Sequence, residues 1–139
     1  MAKRVVYYKK GEIIIKEGQL DRRMYVILEG FVKISLSDRG DKITVATLKK
    51  GDFFGEMSLF NETPRSATAT ALEDVKLAYL NDIKQLTNFL ELNPKFAVKM
   101  VHILATRLSK TNEILLGEFR EVNKFKYLRD ISGYHYLKE

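Results

Sequence analysis

The residue types able to do chemistry are concentrated between Gly51 and Ala71, where Gly55-Glu56-Met57-Ser58 is followed by Pro64-Arg65-Ser66. Gly55 permits a close backbone approach just where a short apolar turn, Met57 to Phe60, begins. Free amides at the start of such a turn form a ready anion site. Arg65 follows a proline that fixes its approach, and its guanidinium can grip a phosphate with two parallel hydrogen bonds. Glu56 accepts hydrogen bonds and donates none, so beside an anion it is repulsive unless it meets a hydroxyl donor. A sugar hydroxyl next to a phosphate satisfies both demands. The physical reading therefore ends at a small phosphorylated sugar. The competing reading is a surface ion pair between Glu56 and Arg65, which the surrounding Gly55, Pro64 and Ser66 disfavour.

These residues need a rigid frame, and the pattern on either side supplies one. Up to Leu80 the chain reads as short apolar or alternating runs divided by glycine turns. The runs are Val5–Tyr8, residues 12–16, 24–28, 31–36 and 43–48, then 66–71 after the interruption at 51–64, and finally 75–80. Seven or eight strands at this spacing predict a mainly β fold, an antiparallel β-roll of jelly-roll type. The period changes at Asn81-Asp82. Asp82 caps an expected helix from Ile83 to about Leu90, and Asn93-Pro94 starts a second one. That long helix is expected to run from Pro94 to Leu116, roughly 35 Å at 1.5 Å per residue. Phe96, Met100, Ile103, Leu104, Leu108 and Leu115 form its apolar stripe. Gly117 is expected to weaken or end it, with one more helical segment stopped by Ser132-Gly133 and a short tail. The domain organisation expected is a β-roll with its long helix over residues 1–116 and a helical extension over 117–139.

At 139 residues the chain fits one domain of ordinary size. It has no cysteine, which excludes disulfides, thiol nucleophiles and thiolate metal sites. No signal peptide and no membrane-length apolar run is present, so a cytoplasmic location and no membrane partner are expected. The net charge of +6 invites a nucleic-acid reading. Lys3, Arg4, Lys9 and Lys10 carry +4 of it, however, and no basic recognition helix is visible. His102 and His135 lack the spacing of a metal pair, and neither a nucleophile elbow nor a P-loop occurs. No metal, no catalytic residue and no nucleic-acid partner are expected.

The stretch from Gly51 to Phe60, followed after four residues by Arg65-Ser66-Ala67-Thr68, resembles the phosphate-binding cassette of cyclic-nucleotide-binding domains. It is most similar to bacterial regulators of the catabolite activator type, from about Val5 to Asn112, with the turn glycines Gly11, Gly18, Gly30 and Gly51 in keeping. The resemblance implies that Glu56 accepts from the ribose 2′-hydroxyl. It implies that Arg65 neutralises the cyclic phosphate, helped by the backbone amides of Met57 and Ser66 and by the Ser58 hydroxyl. Gly55 opens the cassette. Ile34 and Val45, expected to face inward on neighbouring strands, would pack on the purine, and Thr111-Asn112 stands where the family reaches the base from the long helix. In this family a threonine after the cassette arginine tends to accompany guanine. The serine here, Ser66, is also used by the cAMP-binding bacterial regulators and its hydroxyl could serve either base, so cAMP is expected ahead of cGMP as ligand.

The helix that usually precedes the first strand has no counterpart here. The helix-turn-helix domain is not found either, since only 23 residues follow Leu116. The resulting expectation is a stand-alone sensor, not an enzyme, that passes ligand binding through its C-terminal helices to a protein partner or to a second copy of itself. Its rivals are the sensor fragment of a DNA-binding regulator and a degenerate β-roll used only for protein contacts.

Overall fold

The structure, a computed structural model, describes the backbone of residues 4–131 and the side chains of residues 4–118. Eight strands form two four-stranded antiparallel sheets. In chain order they are β1 (Val5–Tyr8), β2 (Ile13–Ile15), β3 (Met24–Glu29), β4 (Val32–Asp38), β5 (Asp41–Leu48), β6 (Phe53–Phe54), β7 (Thr68–Ala71) and β8 (Val75–Leu80). One sheet has the order β1-β8-β3-β6 and the other β2-β7-β4-β5. The helices are α1 (Glu56–Asn61), α2 (Ile83–Leu92) and α3 (Pro94–Ile131). The mainly β fold with helices after the last strand is the one expected.

Strict alternation does not hold along every strand, since β3 buries Met24, Tyr25, Val26 and Ile27 in succession. Ile14, Ile15, Tyr25, Ile27, Val32, Phe54, Ala69, Ala71, Val75 and Leu77 form one buried cluster drawn from both sheets. Burying such side chains is the main favourable term in the fold, about 1.5–3 kcal/mol for each large one. Between β4 and β5 the two-residue loop Arg39-Gly40 has positive φ at both positions, 53° and 88°. That geometry matches the twist of the flanking strands, and glycine meets it without steric cost.

The eighth strand lies inside the interruption at 51–64. It is only Phe53–Phe54, too short to show any period, and is held by pairing of Tyr25 with Phe54 and of Val26 with Phe53. The rings of Tyr25 and Phe54 stack with centroids 5.2 Å apart. The Asp82 carboxylate accepts from the Gln85 amide at 2.8 Å, which fixes the start of α2 where it was expected. The chain divides at Asn93–Pro94 into two units. In the second, α3 runs 38 residues and continues through Gly117. The helix end expected there does not occur, because one glycine costs only about 1 kcal/mol against alanine and the neighbouring residues are good helix formers. The expected stop at Ser132-Gly133, the tail after it and Lys3 lie outside the described residues. Among those residues no helix is long and apolar enough to cross a membrane.

Burial pushes the Tyr25 hydroxyl up to about 12; the neighbouring Tyr8 adds to the shift and the Arg23 charge opposes it. A raised folded value means that the Tyr25 contribution is complete below pH 10 and is lost as pH rises from 10 towards 12. Denaturant titrations should show Tyr25→Phe losing less stability over that window than the parent, by up to about 3 kcal/mol. Parallel losses in the two proteins would contradict the burial of an ionisable hydroxyl.

Candidate functional site

Arg65 is the centre of the site and is only 4% exposed. A charge so deeply placed must find partners, since removing it from water costs several kcal/mol. Two backbone carbonyls supply part of the compensation. Pairing of Tyr25 with Phe54 sets the start of β3 beside the end of β6, and so brings the carbonyls of Arg23 and Gly55 together. Arg65 Nη1 donates to the Gly55 oxygen at 3.0 Å, and Nη2 donates to the Arg23 oxygen. Nη2 also forms an ion pair with Asp21 Oδ2 at 3.1 Å.

The other sheet anchors the same residue through its backbone. Pairing of β2 with β7, Ile15 opposite Ala69, lays the connection between β2 and β3 along the approach to β7. Gly18 N–H then donates to the Arg65 carbonyl at 2.8 Å, and Arg65 N–H donates to the Gln19 carbonyl at 2.8 Å. Glu17 N–H donates to Thr68 Oγ1 at 3.0 Å just beyond. Residues 16–23 are thus a strap that fixes both the backbone and the guanidinium of Arg65. Partial burial pushes the Asp21 carboxyl up, but the Arg23 amide, the Arg65 hydrogen bond and the charges of Arg65 and Arg23 outweigh it and hold it below the usual value.

Both terminal nitrogens of Arg65 are engaged, whereas Nε is not. Among the described residues Nε is the single buried side-chain nitrogen or oxygen with no hydrogen-bond partner in the protein. A buried N–H without an acceptor costs about 1–3 kcal/mol. A ligand oxygen would remove that cost.

Gly55 precedes α1 in the left-handed region, φ 85°, and α1 has no side-chain cap. Its first amides therefore have no partner inside the helix. Glu56, 8% exposed, opens α1, and Ser58 is buried behind it. The Ser58 hydroxyl donates to the Thr63 carbonyl at 3.0 Å and so braces the loop that leads to Arg65. Met57 and Ser66 both present exposed side chains.

Of the sequence-predicted set, the structure brings Gly55 against Arg65; Glu56, Met57 and Ser58 follow Gly55 on α1, and Ser66 follows Arg65. Ile34 is half-buried against the core cluster on β4. Val45 was expected to face inward on β5, but it is 51% exposed and sits where the β4–β5 register shifts between Ile34–Ala46 and Ser35–Thr44. Alternation alone mispredicts its direction, because a bulge re-aims the strand. Thr111 and Asn112 are on α3, and the Thr111 hydroxyl donates back to the Arg107 carbonyl at 3.0 Å.

Sequence reading missed Asp21 and Arg23. Arg23 lies with its guanidinium carbon 4.0 Å from the Tyr79 ring centre, and its Nε donates to Asn81 Oδ1 at 3.1 Å. The run Asp21-Arg22-Arg23 has no period and no motif. Only the β2–β7 register shows that it reaches Arg65.

A Cβ on Gly55 would stand 2.9 Å from both the Arg23 carbonyl oxygen and Arg65 Nη1. Gly40 has a similar φ of +88° but open space around it. Both alanine variants suffer the left-handed cost of about 1–3 kcal/mol. Gly55→Ala should lose clearly more stability than Gly40→Ala in thermal melts, and equal losses would contradict the crowding at Arg65.

The family model described as cyclic nucleotide-binding domain matches residues 5–92. The chain is 30% identical over 111 residues to the CRP-like cAMP-activated global transcriptional regulator of Mycobacterium tuberculosis, covering 79% of this chain and 49% of that protein. It therefore spans about half the length of that curated relative. The crystal structure of the Thermus thermophilus catabolite activator protein superposes with a TM-score of 0.72 at 32% identity, over 86% of this chain and 56% of that one. The EAL enzyme Bd1971 also matches. Its cAMP-bound form has a TM-score of 0.58 and 30% identity, over 88% of this chain and 33% of that one. Its cGMP-bound form has 0.57 and 34%, over 75% and 27%. The family match takes in the strap, both sheets and the buried arginine between them, and by it the chain belongs to the cyclic nucleotide-binding domain family.

Proposed function

We propose that this chain is a sensor module that binds a cyclic nucleotide without changing it chemically, with cAMP preferred over cGMP. The observation that carries the reading is the buried Arg65, whose Nε lacks an acceptor, beside the left-handed Gly55 and the uncapped start of α1. A cyclic phosphate supplies the missing acceptor and a charge that suits a guanidinium. Its other oxygen meets the backbone amides of Met57 and Ser66, with Ser58 bracing the loop. Glu56 takes the ribose 2′-hydroxyl. Ile34, half-buried on β4, serves the base. Ser66 stands where threonine tends to accompany guanine, and its hydroxyl can serve either base, with cAMP put first because cAMP-binding bacterial regulators also use serine there. The Bd1971 structures, in cAMP-bound and cGMP-bound forms, keep the second nucleotide as an outcome of the test.

Residues 1–116 would form the binding domain with its long helix, and residues 117–139 a helical extension and tail. Ligand binding acts on a partner protein, or on a second copy of this chain, through α2 and α3. Its reach is limited to the difference in ligand affinity between two arrangements of those helices. A second reading, the sensor part of a longer DNA-binding regulator, is favoured by the 49% share of the Mycobacterium tuberculosis regulator that the chain spans.

Calorimetry with cAMP and cGMP is the test. One site per chain should appear, with cAMP the tighter ligand. Arg65→Ala and the charge-conserving Arg65→Lys should each weaken it at least about tenfold, since hydrogen bonds to charged groups contribute about 1.5–3 kcal/mol. No binding at millimolar nucleotide would overturn the sensor reading. Undiminished binding by both variants would overturn the phosphate assignment. Hydrogen exchange over residues 94–131 should change on adding cAMP, and unchanged exchange would leave a passive binder.

A further inference from the structure

The pairing of Asp21 with Arg65 has a consequence for which phosphates the site accepts, if the site is the nucleotide site just proposed. We propose that Asp21 is a specificity-determining residue: by offsetting the Arg65 charge it tunes the site to a phosphodiester, which bears one negative charge, and against phosphomonoesters, which bear nearly two.

The carboxylate is held in place from both ends. Oδ1 accepts from the Arg23 amide at 3.1 Å, and Oδ2 faces Arg65 Nη2 at 3.1 Å. It is also charged at neutral pH, its proton affinity being lowered by Arg65 and Arg23. The neighbouring cations are engaged in other directions. Arg22 pairs with Glu62 at 3.4 Å, and the Arg23 guanidinium lies over the Tyr79 ring. What a ligand meets at Arg65 is therefore a guanidinium already paired with the Asp21 carboxylate, rather than an isolated cation.

Nε and Nη2 belong to the same planar guanidinium. A phosphate accepting from Nε then shares one guanidinium with the Asp21 carboxylate and lies within several ångströms of it. Every additional negative charge on the ligand is repelled at that distance. With the Asp21 side chain 41% exposed, the effective dielectric is high, and the penalty for the second charge is about three- to tenfold in affinity. A diester escapes the penalty because it has no second ionisable oxygen. Shape already separates cyclic from open phosphates; Asp21 adds a discrimination that depends on charge alone.

The experiment measures dissociation constants of the full chain for cAMP and 5′-AMP at pH 7.5 and low salt, in the parent, Asp21→Asn and Asp21→Glu. The ratio of 5′-AMP to cAMP constants should fall about three- to tenfold in Asp21→Asn and stay near the parent value in Asp21→Glu. Taking the ratio cancels any general loosening of Arg65. The unmodified protein gives a second readout. The monoester gains a proton near pH 6 while the diester does not, so the parent's ratio should narrow between pH 7.5 and pH 5.5. That narrowing should be shallower in Asp21→Asn. A ratio untouched by Asp21→Asn while cAMP still binds would overturn the proposal. So would a parent ratio that is flat across that pH range, even if the asparagine variant failed to fold. Failure of the parent to bind cAMP at all would instead overturn the sensor reading, and this inference with it.

Discussion

A guanidinium buried to 4% exposure is the constraint around which the first ninety residues are organised. Arg65 is stable there only because acceptors converge on it from three directions. Gly55 supplies one at the end of β6, Arg23 a second before β3, and Asp21 a third in the strap. None of these groups is a sequence neighbour of the arginine. The two sheets must pair in the observed register before the site exists, so folding of the sandwich and assembly of the phosphate site are one event. The same convergence explains why glycine is required at position 55, where any side chain would press on two of the partners at once.

Much of this was legible in the chain before its structure was known, and the limits follow from physics. Period-two alternation along β4 and β7 and the cap at Asp82 are local signals, and they predicted strands and a helix where these occur. Glu56 and Arg65 were legible because glycine, proline and an acid at fixed spacing state a local chemical demand. β6 was hidden, since two residues held by pairing with β3 carry no period. Val45 faced another way than alternation predicts because a register shift intervenes. Asp21 was invisible for a deeper reason. Its partner is 44 residues away, and their meeting is decided by strand register, which no single run of residues reveals.

The second unit illustrates a weak local signal overridden. A glycine within a long run of good helix formers reads as a break, yet α3 continues through Gly117. A cost of about 1 kcal/mol is small against a helix with hydrogen bonds on either side of the residue. An unbroken helix is also stiffer than two segments joined at a hinge.

The family membership rests on the matched model and on relatives that share the β-roll, while the nucleotide preference and the partner are readings of particular residues. The proposed phosphate site depends on one atom, the buried Arg65 Nε, which has no acceptor in the protein. The direct measurement is the proton–nitrogen NMR signal of Arg65 Nε, assigned by its loss in Arg65→Lys, followed as cAMP is added. The account predicts that this signal moves downfield and saturates at one equivalent of cAMP per chain, as expected for a donor gaining a charged acceptor. An Nε signal that stays in place while cAMP saturates the protein would contradict it.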